Sequence, residues 1–342
     1  MSGKIKFNWP IVGQEKIKKF LQTGIANKTL AHAYLFHGPE KVGKAHLARI
    51  FAASIVCENF AKGQADSVLP CGQCDPCRQF AKGIYPDLYW LDRRLNEKGE
   101  KKADISVEQI RELIEKISMR AFLNNYKIVV IPEAHCLNKA AGNCLLKTLE
   151  EPTVQTVIIL ISPTLSQLLP TIRSRCQALK FLPVSKNLIY DYLIEKGANR
   201  NLALELASAA CGRPTVAEQF LDSPEQRLEF FASGRDWLKV LSMSAVEKFK
   251  FVESFLKKNE EDDRIVDQLS IFSSIARDVL LGRIYKSELA SNAGLEKEIA
   301  EAALKADPAA LRKLSAEIEM TKIRLKQNIS PRLVLENLLL NI

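Results

Sequence analysis

Gly38-Pro39-Glu40-Lys41-Val42-Gly43-Lys44-Ala45 lies between an apolar run, Ala33-Tyr34-Leu35-Phe36, and a helical pattern from about Lys44 to Val56. The spacing is G-x-x-x-x-G-K, in the strand–loop–helix setting that a phosphate-binding loop requires. Glycines let successive backbone N–H groups wrap an anion, and the lysine reaches the β and γ oxygens of a nucleotide. A Ser or Thr hydroxyl should follow the lysine as a Mg²⁺ ligand. Here that position is Ala45, which offers no oxygen. The loop is expected to form without its metal chemistry.

Outward from the loop, Lys127-Ile128-Val129-Val130-Ile131 and Thr156 to Ile161 read as further strands. Both are almost wholly apolar, as strands covered on two faces are. Helical patterns alternate with them, which predicts an α/β fold around a parallel sheet. The 127–131 strand runs into Pro132-Glu133-Ala134-His135. A hydrolytic site needs an acidic residue there for Mg²⁺ and a second to orient water. Pro132 takes the first place; Glu133 survives in the second. Gly38, Gly43, Lys44, Ala45 and Glu133 are therefore expected to form a degenerate nucleotide site. It could hold ATP or ADP weakly, with hydrolysis absent or very weak, because Mg²⁺ supplies several kcal/mol of charge stabilisation. The alternative is a chance motif match in an unrelated fold; the second strand argues against it.

Asn138 is placed to cap a helix with Ala141, Leu145 and Leu149 on one face. Ser106 with Gln109 reads as a capping box opening a helix with Ile110, Leu113, Ile114 and Ile117 inward. Residues 92–104 are nearly all polar and read as a solvated loop. After Phe181-Leu182-Pro183 the strand signals stop. Short helices are predicted over 184–222, interrupted at Gly212-Arg213-Pro214. Helical patterns with few prolines fill the remainder. The expected domains are 1–182, 183–222 and 223–342.

Cys71-Gly72-Gln73-Cys74-Asp75-Pro76-Cys77 is C-x₂-C-x₂-C. Three thiolates so spaced can converge on one ion, and Cys57, at the end of the preceding helix, supplies a fourth for a closed, structural Cys₄ zinc site. The module spans about 57–77. An iron–sulfur cluster uses similar spacing, and buried free thiols are a third reading. Cys136, Cys144 and Cys211 sit in helical patterns and are expected in the core. The four histidines show no ligand spacing; His32 and His37 flank a strand and read as structural, and His135 has no evident role.

Composition is that of an ordinary soluble globular protein: 342 residues, 47% hydrophobic and 26% charged. No apolar run approaches the ~20 residues that span a bilayer. Met-Ser-Gly-Lys-Ile-Lys-Phe at the start has no apolar signal core, so a cytoplasmic protein without membrane contact is expected. In that compartment eight cysteines point to metal ligands or buried thiols rather than disulfides. A net charge of +9 permits nucleic-acid contact and is equally met by a generic basic surface.

Four stretches together resemble bacterial clamp loaders of the AAA+ family. They are Val12-Gly13-Gln14, His32-Ala33-Tyr34-Leu35-Phe36, Leu145-Leu146-Lys147-Thr148-Leu149-Glu150-Glu151-Pro152 and Thr171-Ile172-Arg173-Ser174-Arg175-Cys176. The resemblance is specific over about 9–182 and general beyond. It implies an AAA+ domain with an inserted zinc module, a helical lid over 183–222 and an all-α collar over 223–342. It further implies a heteropentamer within the DNA polymerase III holoenzyme, in the nucleoid-associated replisome, that loads the sliding clamp on primed DNA. The implied partners are gamma/tau and delta subunits, the clamp through the complex, and primer–template DNA.

Two subunit types share these motifs. Gamma/tau subunits keep complete nucleotide sites; delta-prime subunits carry degenerate ones. Ala45, Pro132 and the run Leu168–Cys176 resemble the delta-prime type. Ser162-Pro163 departs from the family pattern, which places a sensor Thr or Asn at that strand end, and this adds to the case against hydrolysis in cis. The Ser-Arg-Cys arginine of the family reaches the adjacent subunit's ATP, so the resemblance gives Arg175 that role. Guanidinium suits it, being planar, forked and permanently charged. The plain alternative is a structural salt bridge. Arg173 supports the same interface or is solvated, and Cys176 is expected to be a small buried residue. Two rivals stay open: a gamma-like subunit with its own ATPase, and a zinc-dependent nucleic-acid binder with no loader role.

Overall fold

The computed structural model describes residues 5–62, 67–97, 99, 101–122, 126–152, 155–259, 262–284, 290–325, 327 and 329–341. The chain divides into two units, 1–185 and 186–342.

The first unit contains β1 (Lys6–Phe7), α1 (Glu15–Ala26), β2 (Ala33–His37), α2 (Lys44–Val56), α3 (Glu58–Lys62), β3 (Val68–Leu69) and α4 (Asp75–Ala81). It continues with β4 (Leu88–Trp90), α5 (Val107–Ser118), β5 (Lys127–Ile131), α6 (Lys139–Glu150), β6 (Thr156–Ser162), α7 (Pro170–Arg173) and β7 (Gln177–Lys180). Five strands form one sheet in the order β4-β5-β6-β2-β7, parallel throughout. β1 and β3 pair separately.

The strand residues explain why the sheet is covered twice. Side chains alternate across a strand. Tyr34, Phe36, Ile128, Val130, Val157 and Ile159 point into a core with α1 and α2. Ala33, Leu35, Val129, Ile131, Ile158 and Leu160 point into another with α5 and α6. Neither face is left polar, so the strands read as continuous apolar runs. Full burial of each large side chain, such as Phe36 or Phe51, contributes roughly 2–3 kcal/mol. The order also positions a site. β2 is flanked by β6 and β7, so the chain runs away from it on both sides, and the crevice beyond the carboxyl end of β2 is a topological switch point where parallel sheets bind ligands.

The expected caps are present. The Asn138 side chain accepts from the Ala141 N–H at 2.8 Å and starts α6. Ser106 and Gln109 form a capping box on α5. Ile110, Leu113 and Ile117 are buried, while Ile114 is only half-buried. Residues 92–104 are not simply solvated among those described. An antiparallel bridge pairs Leu95 with Lys101, and the Arg94–Glu112 ion pair at 2.6 Å ties the segment to α5.

The second unit is helical: α8 (Lys186–Glu195), α9 (Arg200–Ala209), α10 (Pro214–Asp222), α11 (Pro224–Val240), α12 (Ala245–Lys258), α13 (Asp262–Arg283), α14 (Glu296–Lys305), α15 (Pro308–Leu325) and α16 (Pro331–Leu340). Pro214 occupies the first turn of α10, where its missing N–H costs nothing. Trp237 is buried and stacks on Phe272, centroids 4.3 Å apart. Asp278 is fully buried. It accepts from the backbone N–H groups of Ser291 and Asn292, each at 2.8 Å, and from Asn292 Nδ2 at 2.7 Å. A buried carboxylate is tolerable only with such partners.

The expectations for four cysteines need correction. Cys211 is not in a helix: it follows α9 with φ of 50°, half-buried beside the Ser274 hydroxyl. Cys136 and Cys144 are half-buried at the edge of a core rather than within it. Cys176 is likewise half-buried, although desolvation still pushes its thiol up to about 12.

Candidate functional site

The loop after β2 is shaped by close contacts that only glycine allows. Gly38 has φ of 138°, and a Cβ there would stand 2.3 Å from the Phe181 carbonyl oxygen. The Gly38 N–H is turned to the end of β6, 3.1 Å from the Pro163 carbonyl. Gly43 caps α2 with φ of 95°. The two glycines thus hold the loop in backbone conformations that residues with a Cβ rarely adopt.

Its lysine is turned inward. Lys44 is 7% exposed, and its ammonium donates to the carbonyls of Gly38 and Pro39. Burial lowers its pKa from 10.5 to about 8, against a smaller opposing effect of Glu40. Burial, followed by the charges of Lys180 and Lys44, also lowers His37. The cradle's positive charge is bound to the loop's own oxygens, and Ala45 beside it is exposed without a ligand oxygen.

Glu133 follows β5 at the same carboxyl edge of the sheet. It is held by a fork: Arg93 Nη2 lies 2.8 Å from Oε1 and Arg93 Nε 3.1 Å from Oε2. Lys101 adds a contact of 3.2 Å. Burial raises the Glu133 pKa, but hydrogen bonds and charge from Arg93 and Lys101 outweigh it and the net shift is downward. The carboxylate expected to orient water is engaged in anchoring the 92–104 segment. Sequence reading missed this partner, because Arg93 and Lys101 lie in a run that looks merely hydrophilic.

Arg175 is at the other edge. It follows α7 and precedes β7, and β7 pairs in parallel with β2 so that Gln177 is level with Tyr34 and Lys180 with His37. Gly38 lies four residues beyond Tyr34, so at the usual rise about 13 Å separates it from the level at which β7 begins. The Arg175 guanidinium donates to the Thr171 carbonyl at 3.0 Å and approaches the Ser174 hydroxyl at 3.3 Å. It also pairs with Glu150 at 2.5 Å. Arg173 is half-buried, and its Nε has no hydrogen-bond partner among the described residues.

The four cysteines come together as expected. The sulfurs of Cys57, Cys71, Cys74 and Cys77 all lie within 4.8 Å of one another. Cys71–Cys77 and Cys74–Cys57 are each 4.0 Å apart. A tetrahedral ion with Zn–S bonds of about 2.3 Å places its sulfurs roughly 3.8 Å apart, so the donors present fit such a site. The Cys74 N–H donates to Cys71 Sγ at 3.4 Å, a bond that supports a thiolate. The Cys57 thiol is lowered to about 5, first by a hydrogen bond from Cys77, and Cys77 is raised by the same bond. These four residues could hold a metal ion.

A family model described as DNA polymerase III, delta subunit, matches residues 13–185. The chain belongs to this family. The Bacillus subtilis DNA polymerase III subunit delta' is 29% identical over 96% of this chain and 95% of its own length. The Pseudomonas aeruginosa subunit delta' is 42% identical over 43% of this chain and 42% of its own length. The B. subtilis subunit tau is 33% identical over 74% of this chain and 44% of its own length. Of these three relatives, the chain therefore spans less than half of two and nearly all of the third. No helix among the described residues is long and apolar enough to cross a membrane.

Proposed function

We propose that the chain is the delta-prime subunit of a bacterial DNA polymerase III clamp loader, an AAA+ subunit that does not hydrolyse ATP and supplies Arg175 to a neighbouring subunit's ATP. The observation that carries this reading is the separation of the two halves of the chemistry. The phosphate loop, Lys44 and Glu133 are at the carboxyl edge of the sheet, with Lys44 and Glu133 committed to in-chain partners. Arg175 precedes β7 at the amino edge and is paired there with Glu150, which supports a role outside its own loop.

Several further features support the division. Ala45 and Pro132 remove the Mg²⁺ ligands, and without the metal the transferred phosphoryl group loses its main neutralising charge. The full-length similarity to a subunit named delta' agrees. On this reading Cys57, Cys71, Cys74 and Cys77 hold a structural zinc, which ties the 57–77 module together and takes no part in a reaction. Residues 183–222 act as a lid and 223–342 as the collar of a heteropentamer with gamma/tau and delta. The complex acts on the sliding clamp and primer–template DNA in the cytoplasm, at the nucleoid.

The test is assembly and turnover measured separately. The purified chain mixed with gamma/tau and delta subunits of the same source should form one complex of fixed stoichiometry by native mass spectrometry. Alone, with Mg²⁺ and ATP, it should turn over nothing. Robust turnover by the chain alone would establish the gamma-like reading instead, and failure to assemble would overturn the loader role.

A further inference from the structure

The finger residue is already paired inside its own chain. Arg175 Nη2 lies 2.5 Å from Glu150 Oε1, with the side chains 34% and 49% exposed. The other terminal nitrogen is held by the Thr171 carbonyl and the Ser174 hydroxyl. Glu150 is the last residue of α6. A carboxylate there faces the negative end of the helix dipole and is disfavoured. Lys147 in the same turn offsets part of this, and the Arg175 guanidinium offsets it directly. The pairing is therefore reciprocal: Glu150 neutralises the arginine, and the arginine relieves the helix end.

We infer that Glu150 is a positioning residue that holds Arg175 in cis until a neighbour's phosphate displaces it. This rests on the reading of Arg175 as a finger acting in trans. A phosphate oxygen and the Glu150 carboxylate compete for the same guanidinium edge. To engage the phosphate, Arg175 must leave Glu150 unpaired at a helix terminus. The contacts to Thr171 and Ser174 can persist, since they use the other nitrogen. The pair thus sets a threshold on engagement without adding an attractive contact to the complex. Half-exposed pairs of this kind are worth little each, so the threshold is small and reversible.

The test uses the assembled loader with ATP turnover followed across ATP concentration. The variants, all in this chain, are Glu150→Gln, Glu150→Asp, Arg175→Ala and the double variant Glu150→Gln/Arg175→Ala. Glu150→Gln should raise kcat/KM for ATP at the site that Arg175 serves by about two- to fivefold, the range open to a half-exposed ion pair, and total turnover by that site's share. Glu150→Asp, which keeps the charge, should stay near the wild type. In the Arg175→Ala background the glutamine substitution should change nothing. Thermal melting of the isolated chains checks that each variant folds.

If Arg175→Ala cripples turnover but Glu150→Gln leaves it unchanged or lowers it, Glu150 does not restrain the finger and the inference fails while the finger reading survives. If the glutamine gain persists without Arg175, it acts through α6 and the inference also fails. If Arg175→Ala itself has no effect, the finger reading falls, and this inference with it.

Discussion

Gly38 is expected to stabilise the fold whether or not a nucleotide ever binds. Glycine in a phosphate loop is usually explained by the ligand's approach, yet here the close neighbour is the protein itself. An alanine Cβ at Gly38 would lie 2.3 Å from the Phe181 carbonyl oxygen and 3.0 Å from its carbon. Neither atom is at the free end of a side chain. Phe181 is fully buried, tilted against Phe36 at 5.2 Å, and its N–H is bonded to the His37 carbonyl at 2.7 Å, so the backbone there has little room to retreat. The φ of 138° adds a conformational penalty of about 1–3 kcal/mol for an L-residue. Gly38→Ala should then cost about 3 kcal/mol or more in total, at or above the upper end of the range usual for single substitutions.

Gly43 is the internal control. Its φ is 95°, but the nearest atom to a built Cβ is 4.0 Å away, so Gly43→Ala should cost only about 1–2 kcal/mol from the dihedral. The assay is urea unfolding without nucleotide, followed by the fluorescence of Trp9 and Trp90 in the first unit. A Trp237→Phe background, used for reference and variants alike, removes the signal of the second unit. The Gly38→Ala midpoint should fall by roughly 1 M or more, at slopes of about 1–3 kcal/mol per M. A shift equal to or smaller than that of Gly43→Ala would refute the steric argument, and the glycine would need a ligand-based explanation.

Three further outcomes are expected. The purified chain should carry one equivalent of zinc by elemental analysis, and Cys74→Ser should lose it and melt at lower temperature; a full complement of metal in the variant would remove Cys74 from the ligand set. Restoring the missing metal ligands by Ala45→Thr with Pro132→Asp should not create turnover in the chain alone, because Glu133 stays forked to Arg93 and Lys101; Mg²⁺-dependent hydrolysis by this variant would show that the carboxylate is free to act. The lowered pKa of Lys44, about 8 against an ordinary 10.5, means that the unfolded chain binds more protons between those values, so folding stability should rise with pH across that window. Wild type should gain on the order of 2 kcal/mol over Lys44→Met between pH 7.5 and 10 in paired urea titrations, and parallel curves would contradict the buried placement of the ammonium.

The features legible in the sequence were those encoded locally. β5 and β6 could be read because both their faces are covered, which leaves an unbroken apolar run. Asn138, Ser106 and Gln109 announce their helices because capping acts within four residues. The cysteine spacing alone brought three thiols together, and the chain turn after α2 supplied Cys57. β4 and β7 were not read. β4 is three half-buried residues, and β7 is an edge strand with only Leu179 buried of Gln177–Lys180, so neither carries a strong pattern. The partners of the site residues were invisible for a different reason. Arg93 and Glu133 are 40 residues apart, and Glu150 at the end of α6 meets Arg175 in the turn between α7 and β7. A charged residue in a polar run looks solvated until the fold shows what it faces.

The central claim, that the chain acts on a neighbour's nucleotide and not on its own, is tested most directly by one substitution in the assembled loader. DNA- and clamp-stimulated ATP hydrolysis should be compared between complexes that differ only in Arg175→Ala of this chain. An arginine finger supplied in trans is worth about 10³ or more at the site it serves, so turnover at the neighbouring site should collapse and total turnover should fall by that site's share, while the isolated chain hydrolyses nothing in either form. Unchanged turnover in the assembled complex would contradict the claim and leave Arg175 a structural partner of Glu150.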